Sequence, residues 1–314
     1  MRVILLALGL LAGFAAPGRD AETVITILTG PTSAVYYPLG TTLAGIYTKA
    51  IPGASVTAQA SSGPVENLKL LEAGDGELGF AFGSAVVGAW ADSKEAGFDQ
   101  PLTKLRGIAR IYTSPMQIVA SDRSGIKTLA DLKGKRLYLG PAGSGAAQDA
   151  VAICRAACFT SSDLANFVTG PFTPSFQKVE QGTLDAAAAE AGLPTEAVRH
   201  LLVSGHAILV PVPPEVVAKI GNQGFTAGII PAGTYDGQSG DVPAAMMGNF
   251  LVTREGVSDD VAYLMTKSLF EHSDQLVQTN PAAKEINVKT ATVGLSIPLH
   301  PGAERYYREI GIVK

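Results

Sequence analysis

The sequence predicts an α/β protein whose two lobes face one small ligand. Three observations carry that prediction. A strand, a small-residue loop and a helix follow one another in ITILTGPTSAVYYPLGTTLAGIY, residues 25–47. The same order recurs in RLYLGPAGSGAAQDAVAICRAA, residues 136–157. Strand-like and helix-like stretches alternate through the rest of the chain, as they do in layered α/β proteins. A helix start leaves several N–H groups unpaired and carries a partial positive charge. Loops of Gly, Ser and Thr let a carboxylate or phosphate approach those groups. Two such anion cradles, far apart in the chain, point to two lobes around one cleft.

The elements follow in order. Residues 25–28 form the first strand, residues 29–34 the loop, and a helix starts near Val35. A strand over residues 54–58 leads to the turn Ser61-Ser62-Gly63-Pro64, where Pro64 suits the first helical position. Val65, Leu68 and Leu71 recur at helical spacing until Gly74 ends the run. A strand over residues 78–82 precedes a helix that begins at Gly83 and carries Trp90. Residues 105–120 read as a long extended run, broken at Ser114-Pro115, that crosses from the first lobe to the second.

The second cradle comes next, followed by a helix around residues 176–181 and a small-residue strand over residues 184–189. Gly192-Leu193-Pro194 opens another helix, and residues 207–212 form a strand. The chain recrosses near residues 246–253. Ser258 caps the next helix, with Asp259 and Asp260 in the first turn, where acids are favoured. Val261, Leu264, Met265, Leu269 and Leu276 give it one apolar face. Residues 22–115 and 244–314 are thereby assigned to a discontinuous first lobe, and residues 116–243 to a second lobe inserted into it.

Residues 1–21 read as a secretory signal peptide. Arg2 supplies the positive end, and the apolar stretch over residues 3–16 is too short for a span of ~20 residues. Export to the periplasm is expected. Loss of Arg2, Arg19 and Asp20 with that segment takes the formal net charge of −4 one unit further negative. No basic stripe appears, so nucleic acid is not an expected partner. Cys154 and Cys158 stand one helical turn apart: they are either a disulfide, which export permits, or two small core hydrophobes. His200, His206, His272 and His300 show no metal spacing, and His300 reads as a packing residue. No nucleophile–base set emerges, so an enzyme is not expected.

Gly143-Ser144-Gly145 fails the dinucleotide fingerprint because Gln148 fills its last position. It fails the hydrolase elbow because Ala142 and Ala146 flank Ser144. Its tight helix entry still aims N–H groups and the Ser144 hydroxyl at one point. Tyr36 and Tyr37 open the first helix about 100° apart: one faces the cleft, or both pack in the core. Glu190 sits at the end of a strand, where α/β sheets bind ligands. It either accepts from a ligand or is a solvated loop charge.

VYYPLG (35–40), VENLKLL (65–71), SGIKTLADLKGKRL (124–137), GSG (143–145) and IPAGTYDG (230–237) form an ordered set. LVTREGVSDDVAYLMTKSLFEH (251–272) and IPLHPGAERYY (297–307) complete it. Together these motifs resemble the TAXI family of solute-binding proteins, which serve TRAP transporters. The resemblance implies the periplasmic binding protein type II fold, two α/β lobes joined by a hinge with the ligand between them. It implies a small carboxylate ligand (glutamate, glutamine or a 2-oxo dicarboxylate in known members) and no cofactor. Delivery would be to the small and large membrane subunits of a TRAP transporter, from a monomer.

The departures from the family lie in the ligand loops. Thr29-Gly30-Pro31-Thr32-Ser33-Ala34 replaces a glycine-richer TGGTGG, and Ser61-Ser62-Gly63-Pro64 replaces TGGS. Phe82 and Ser84 stand where Gln and Asp are common, and Ala146 where Thr is usual. Thr32, Ser33, Ser62, Ser84, Ser144 and amides near Gly145 are the expected donors, with Tyr36 and Phe82 as walls. Thr29, Gly30, Ser61 and Ala146 complete the expected contacts. Without an acid at Ser84 a ligand ammonium would lack its partner, and burying it unpaired is costly. An organic acid without an amino group is therefore expected, the alternative being an amino acid held through Glu190. Closure would hinge near residues 113–121 and 243–250. A sensory protein feeding a membrane receptor kinase would use the same fold and cleft.

Overall fold

The structure is a computed structural model that describes residues 23–314, except 33, 92–93, 142–143, 161, 164–166 and 222–223. The expected signal peptide lies outside the described residues. β1 (Thr23–Leu28), α1 (Tyr36–Ala50), β2 (Ala54–Gln59), α2 (Pro64–Ala73), β3 (Leu78–Phe82) and α3 (Gly83–Trp90) come first. The long β4 (Leu105–Ser121) follows. Then come β5 (Leu137–Tyr138), α4 (Gly145–Ala156), β6 (Phe167–Val168), α5 (Phe172–Glu180), β7 (Ala186–Glu190) and α6 (Glu196–Val203). β8 (Ala207–Val210), α7 (Pro214–Ile220) and β9 (Phe225–Ile230) precede β10 (Val242–Arg254). α8 (Asp259–Glu271), α9 (Ser273–Thr279) and α10 (Pro301–Glu309) end the chain.

Among the described residues the strands share one sheet in the order β2-β1-β3-β10-β4-β7-β5-β6, with β8 on β4 and β9 on β10. β1 runs parallel to β2 and β3, while β10 runs antiparallel to β3 and β4. β4 pairs with β10 from Leu105 to Pro115, then with β7 from Met116. The expected break at Ser114-Pro115 does not occur. Pro115 lies where the ladder to β10 ends, so its missing N–H interrupts little.

Sequence punctuation explains several boundaries. Pro64 opens α2, and Gly74 ends it in the left-handed conformation at φ 92°. The Ser258 side chain accepts the Val261 N–H and so caps α8. His300 caps α10: its Nδ1 accepts the Gly302 N–H at 3.1 Å, and its Nε2 lies 3.0 Å from the Val257 carbonyl. This buried histidine is structural, in keeping with its packing role.

Helices cover both faces of the sheet. Ile25, Ile27, Leu43, Tyr47, Met265 and Tyr307 join one core cluster, and Leu68, Leu71, Val86 and Phe250 another. Residues from the middle of the chain build two more, around Ile118, Leu137 and Ile153 and around Tyr138, Phe176 and Leu201. Phe82 packs against three of the four. Four consecutive alanines, Ala186 to Ala189, make β7 thin enough for helices to approach both its faces.

Cys154 and Cys158 carry free thiols. Cys154 faces the core from α4, whereas Cys158 is exposed beyond the helix end at φ 67°. The helix end separates their environments, and no bridge forms.

Candidate ligand-binding cleft

A cleft of about 500 Å³ lies where α1, α2, α4 and α5 begin. Gly30, Tyr36, Ser62, Val65 and Phe82 line it from the first third of the chain, and Ser144, Phe172 and Glu190 from the middle. No Lys, Arg or His lines it among the described residues.

The start of α4 is capped by its own serine. The Ser144 hydroxyl accepts the Ala147 N–H at 3.2 Å and donates to the Pro141 carbonyl at 2.8 Å. Gly145 and Ala146 contribute first-turn N–H groups, the kind a helix cannot pair internally. The start of α2 is different, because the chain fills it with its own acid. The Glu66 carboxylate accepts from the Ser62 N–H at 2.6 Å and the Ser62 hydroxyl at 2.5 Å. Those bonds hold the Glu66 carboxyl below its ordinary range. Tyr36 forms a wall: its ring stacks on Phe80 at 4.7 Å, and its hydroxyl donates to Asn249 at 2.6 Å.

Most of the expected contacts meet here. Gly30, Tyr36, Ser62, Phe82, Ser144, Gly145, Ala146 and Glu190 all line the cleft. Others do not. Thr29 is buried, and its hydroxyl donates to the Gln59 carbonyl at 2.8 Å. The Ser61 hydroxyl donates to the Asn67 side chain at 2.6 Å. Both brace the loops from behind, so neither hydroxyl is free for a ligand. Thr32 is exposed and is not among the lining residues, while Ser33 lies outside the described residues. Ser84 is buried and donates to Asp149 at 3.0 Å.

Asp149 is the main residue that the sequence reading missed. It is 4% exposed and lies on the inner face of α4 with Ala150, Ile153 and Cys154. An acid on an apolar helical stripe was the available signal. The Asp149 charge acts on the neighbouring Glu190 carboxyl. Glu190 is half-buried as a residue, but both its carboxyl oxygens are shielded, and among the described residues neither has an N–H or O–H donor. Two shielded carboxyls near one another cannot both ionise cheaply. Burial first, then the neighbouring Asp149 charge, pushes the Glu190 carboxyl well above its ordinary value.

That shift has a sign for stability. As pH rises above the ordinary carboxylate range, the unfolded chain gives up the Glu190 proton before the folded protein does. The ligand-free protein therefore loses stability with rising pH until Glu190 ionises in the folded state. Glu190→Gln is expected to change the melting temperature little in mild acid and to raise it increasingly towards neutral pH. Melting curves of both proteins across that range check this; a constant offset between them refutes it.

The sequence profile of the NMT1-like family matches residues 27–311. In structure the chain is similar to the periplasmic aliphatic sulphonate binding protein SsuA from Escherichia coli, at 17% identity and TM-score 0.50. That match covers 91% of this chain and 83% of the other. It is also similar to a TctC solute binding protein from Polaromonas, at 12% identity and TM-score 0.52, covering 94% of this chain and 100% of that one. XAC2383 from Xanthomonas citri, bound to ATP, matches at 12% identity and TM-score 0.53, covering 92% and 97%. At these identities the likeness is one of fold, the two-lobe type II fold of periplasmic solute-binding proteins. With the profile spanning almost all of the described chain, the protein belongs to the NMT1-like family.

Proposed function

We propose that this chain is an extracytoplasmic solute-binding protein that captures a small carboxylate in the cleft and hands it to a membrane transporter. It binds its ligand without turning it over. The ordered motifs over residues 35–307 support a TAXI-type TRAP system with small and large membrane subunits, and the apolar segment at residues 3–16 supports a periplasmic location. The ligand carboxylate docks at the start of α4, against Ser144 and the first-turn amides. Tyr36, Phe82 and Phe172 supply apolar walls. Closure bends the chain within β4 and β10, near residues 113–121 and 243–250, where both strands change partners.

One observation supports an ammonium-bearing ligand: Glu190 lines the cleft, and its carboxyl has no donor among the described residues. Ser84 does remove one acid, but Asp149 beside it brings another. A ligand that carries an ammonium as well as a carboxylate satisfies both ends of the cleft, so the amino-acid reading is favoured over an amino-free acid. A thermal-shift screen of the exported chain, pairing amino acids with their 2-oxo and unsubstituted acids, tests this. Ligand at a hundred times its Kd stabilises by about 2.7 kcal/mol, which is easily seen. A shift with amino acids alone supports the reading; a shift with amino-free acids alone restores the organic-acid alternative.

A further inference from the structure

Two carboxyl groups lie near one another beside the cleft, and among the described residues no cation faces them. Glu190 comes from the end of β7 and Asp149 from α4. The groups around them come from several elements. Ser84 of α3 donates to Asp149. Tyr36 of α1 and Tyr112 of β4 feel the Glu190 charge, and Glu285 acts on Tyr112. Glu66 stands at the α2 start on the rim. None of these groups is positive. Two shielded negative charges near one another are too costly to persist together, so one carboxyl holds a proton.

We propose that Asp149 and Glu190 form an exchange seat: the pair holds one proton when the cleft is empty, and releases it to water when a ligand ammonium takes its place. This rests on the solute-binding reading above, and it makes Asp149 a binding residue although it is hidden from the cleft. Glu190 lines the cleft, yet both its carboxyl oxygens are shielded. Rotation of that carboxyl exposes the seat. Burial, which pushes the Asp149 carboxyl up to about 6 and Glu190 well above its usual value, agrees with a proton held near neutrality.

The exchange predicts opposite pH dependences for two kinds of ligand. An ammonium competes with the proton, so its affinity rises with pH while the pair still titrates. A carboxylate without an amine prefers the protonated pair, so its affinity falls with pH. The experiment is calorimetric titration of the exported chain with the L-amino acids and with 2-oxoglutarate, in mildly acidic and neutral buffers. Phosphate and Tris are compared to count protons. The expected result is an affinity for the bound amino acid that rises by up to about tenfold per pH unit, the slope for one proton released. Glu190→Gln abolishes that slope, and Asp149→Asn moves it to lower pH because Glu190 no longer faces a second acid. Melting curves confirm that both variants are folded.

Amino-acid binding with no pH dependence and no proton release overturns the exchange but leaves the solute-binding reading standing. Binding of 2-oxoglutarate alone does the same. A protein that binds no compound in the set loses the solute-binding reading, and the exchange falls with it.

Discussion

Replacing Gly302 by alanine is expected to destabilise the protein by about 3 kcal/mol, near the upper end of overpacking costs. Gly302 lies in the first turn of α10, where that helix crosses α8. A Cβ there would meet the Asp259 carbonyl at 2.1 Å and the Tyr263 N at 2.8 Å. Both are backbone atoms, so no side-chain rotation relieves the clash and one helix must move. α10 carries Tyr307, whose hydroxyl donates to the Ile108 carbonyl at 2.8 Å, so the displacement reaches the sheet. The melting temperature should fall by roughly 5–10 °C. No part of α10 lines the cleft, so ligand affinity of the folded variant should stay unchanged. A melting temperature within about 1 °C of wild type would mean that α8 and α10 can slide apart at little cost.

Asn67→Ala is the second large loss, and it is expected to reach the cleft as well. Asn67 is fully buried at the base of the loops. Its Nδ2 donates to the carbonyls of Thr29 at 2.5 Å and Phe80 at 2.9 Å, and its Oδ1 accepts from Ser61. One amide thus ties the end of β1, the end of β3 and the loop before α2. Alanine lets the Ser61 hydroxyl turn to the Thr29 carbonyl 3.3 Å away, but it removes the tie to Phe80, at about 1–3 kcal/mol for a buried group left unpaired, and opens a cavity. A loss of about 3–5 kcal/mol is expected, among the largest that single substitutions give. Gly30 and Tyr36 follow directly on the anchored strand, so ligand binding should weaken too. Urea unfolding measures the stability term; an unchanged midpoint would show that water replaces the amide.

The elements that were legible in the sequence carry their own local signals. α2 has its proline and its glycine, α8 has its serine cap, and Leu78–Phe82 is a strand by composition and position. The elements that stayed hidden exist through their neighbours. β6 is two residues long, and β9 is a strand because β10 lies beside it. The site divides in the same way. Ser144, Gly145 and Ala146 announce a helix entry, and capping chemistry is local. Thr29 and Ser61 look like ligand donors because they are loop hydroxyls, yet their bonds go to Gln59 and Asn67. The nearness of Asp149 to Glu190 depends on how α4 packs over β7, which no local pattern encodes.

The antiparallel place of β10 between β3 and β4 also fixes when this chain can finish folding. Leu78–Phe82 pairs with β1 on one side, and on the other with residues as distant as Asn249 and Thr253. A chain made from its N terminus therefore waits with one apolar strand edge unmet, for roughly 10–30 s at ordinary synthesis rates. Such edges recruit foreign strands. That interval is when the newborn chain most needs a chaperone to shield it.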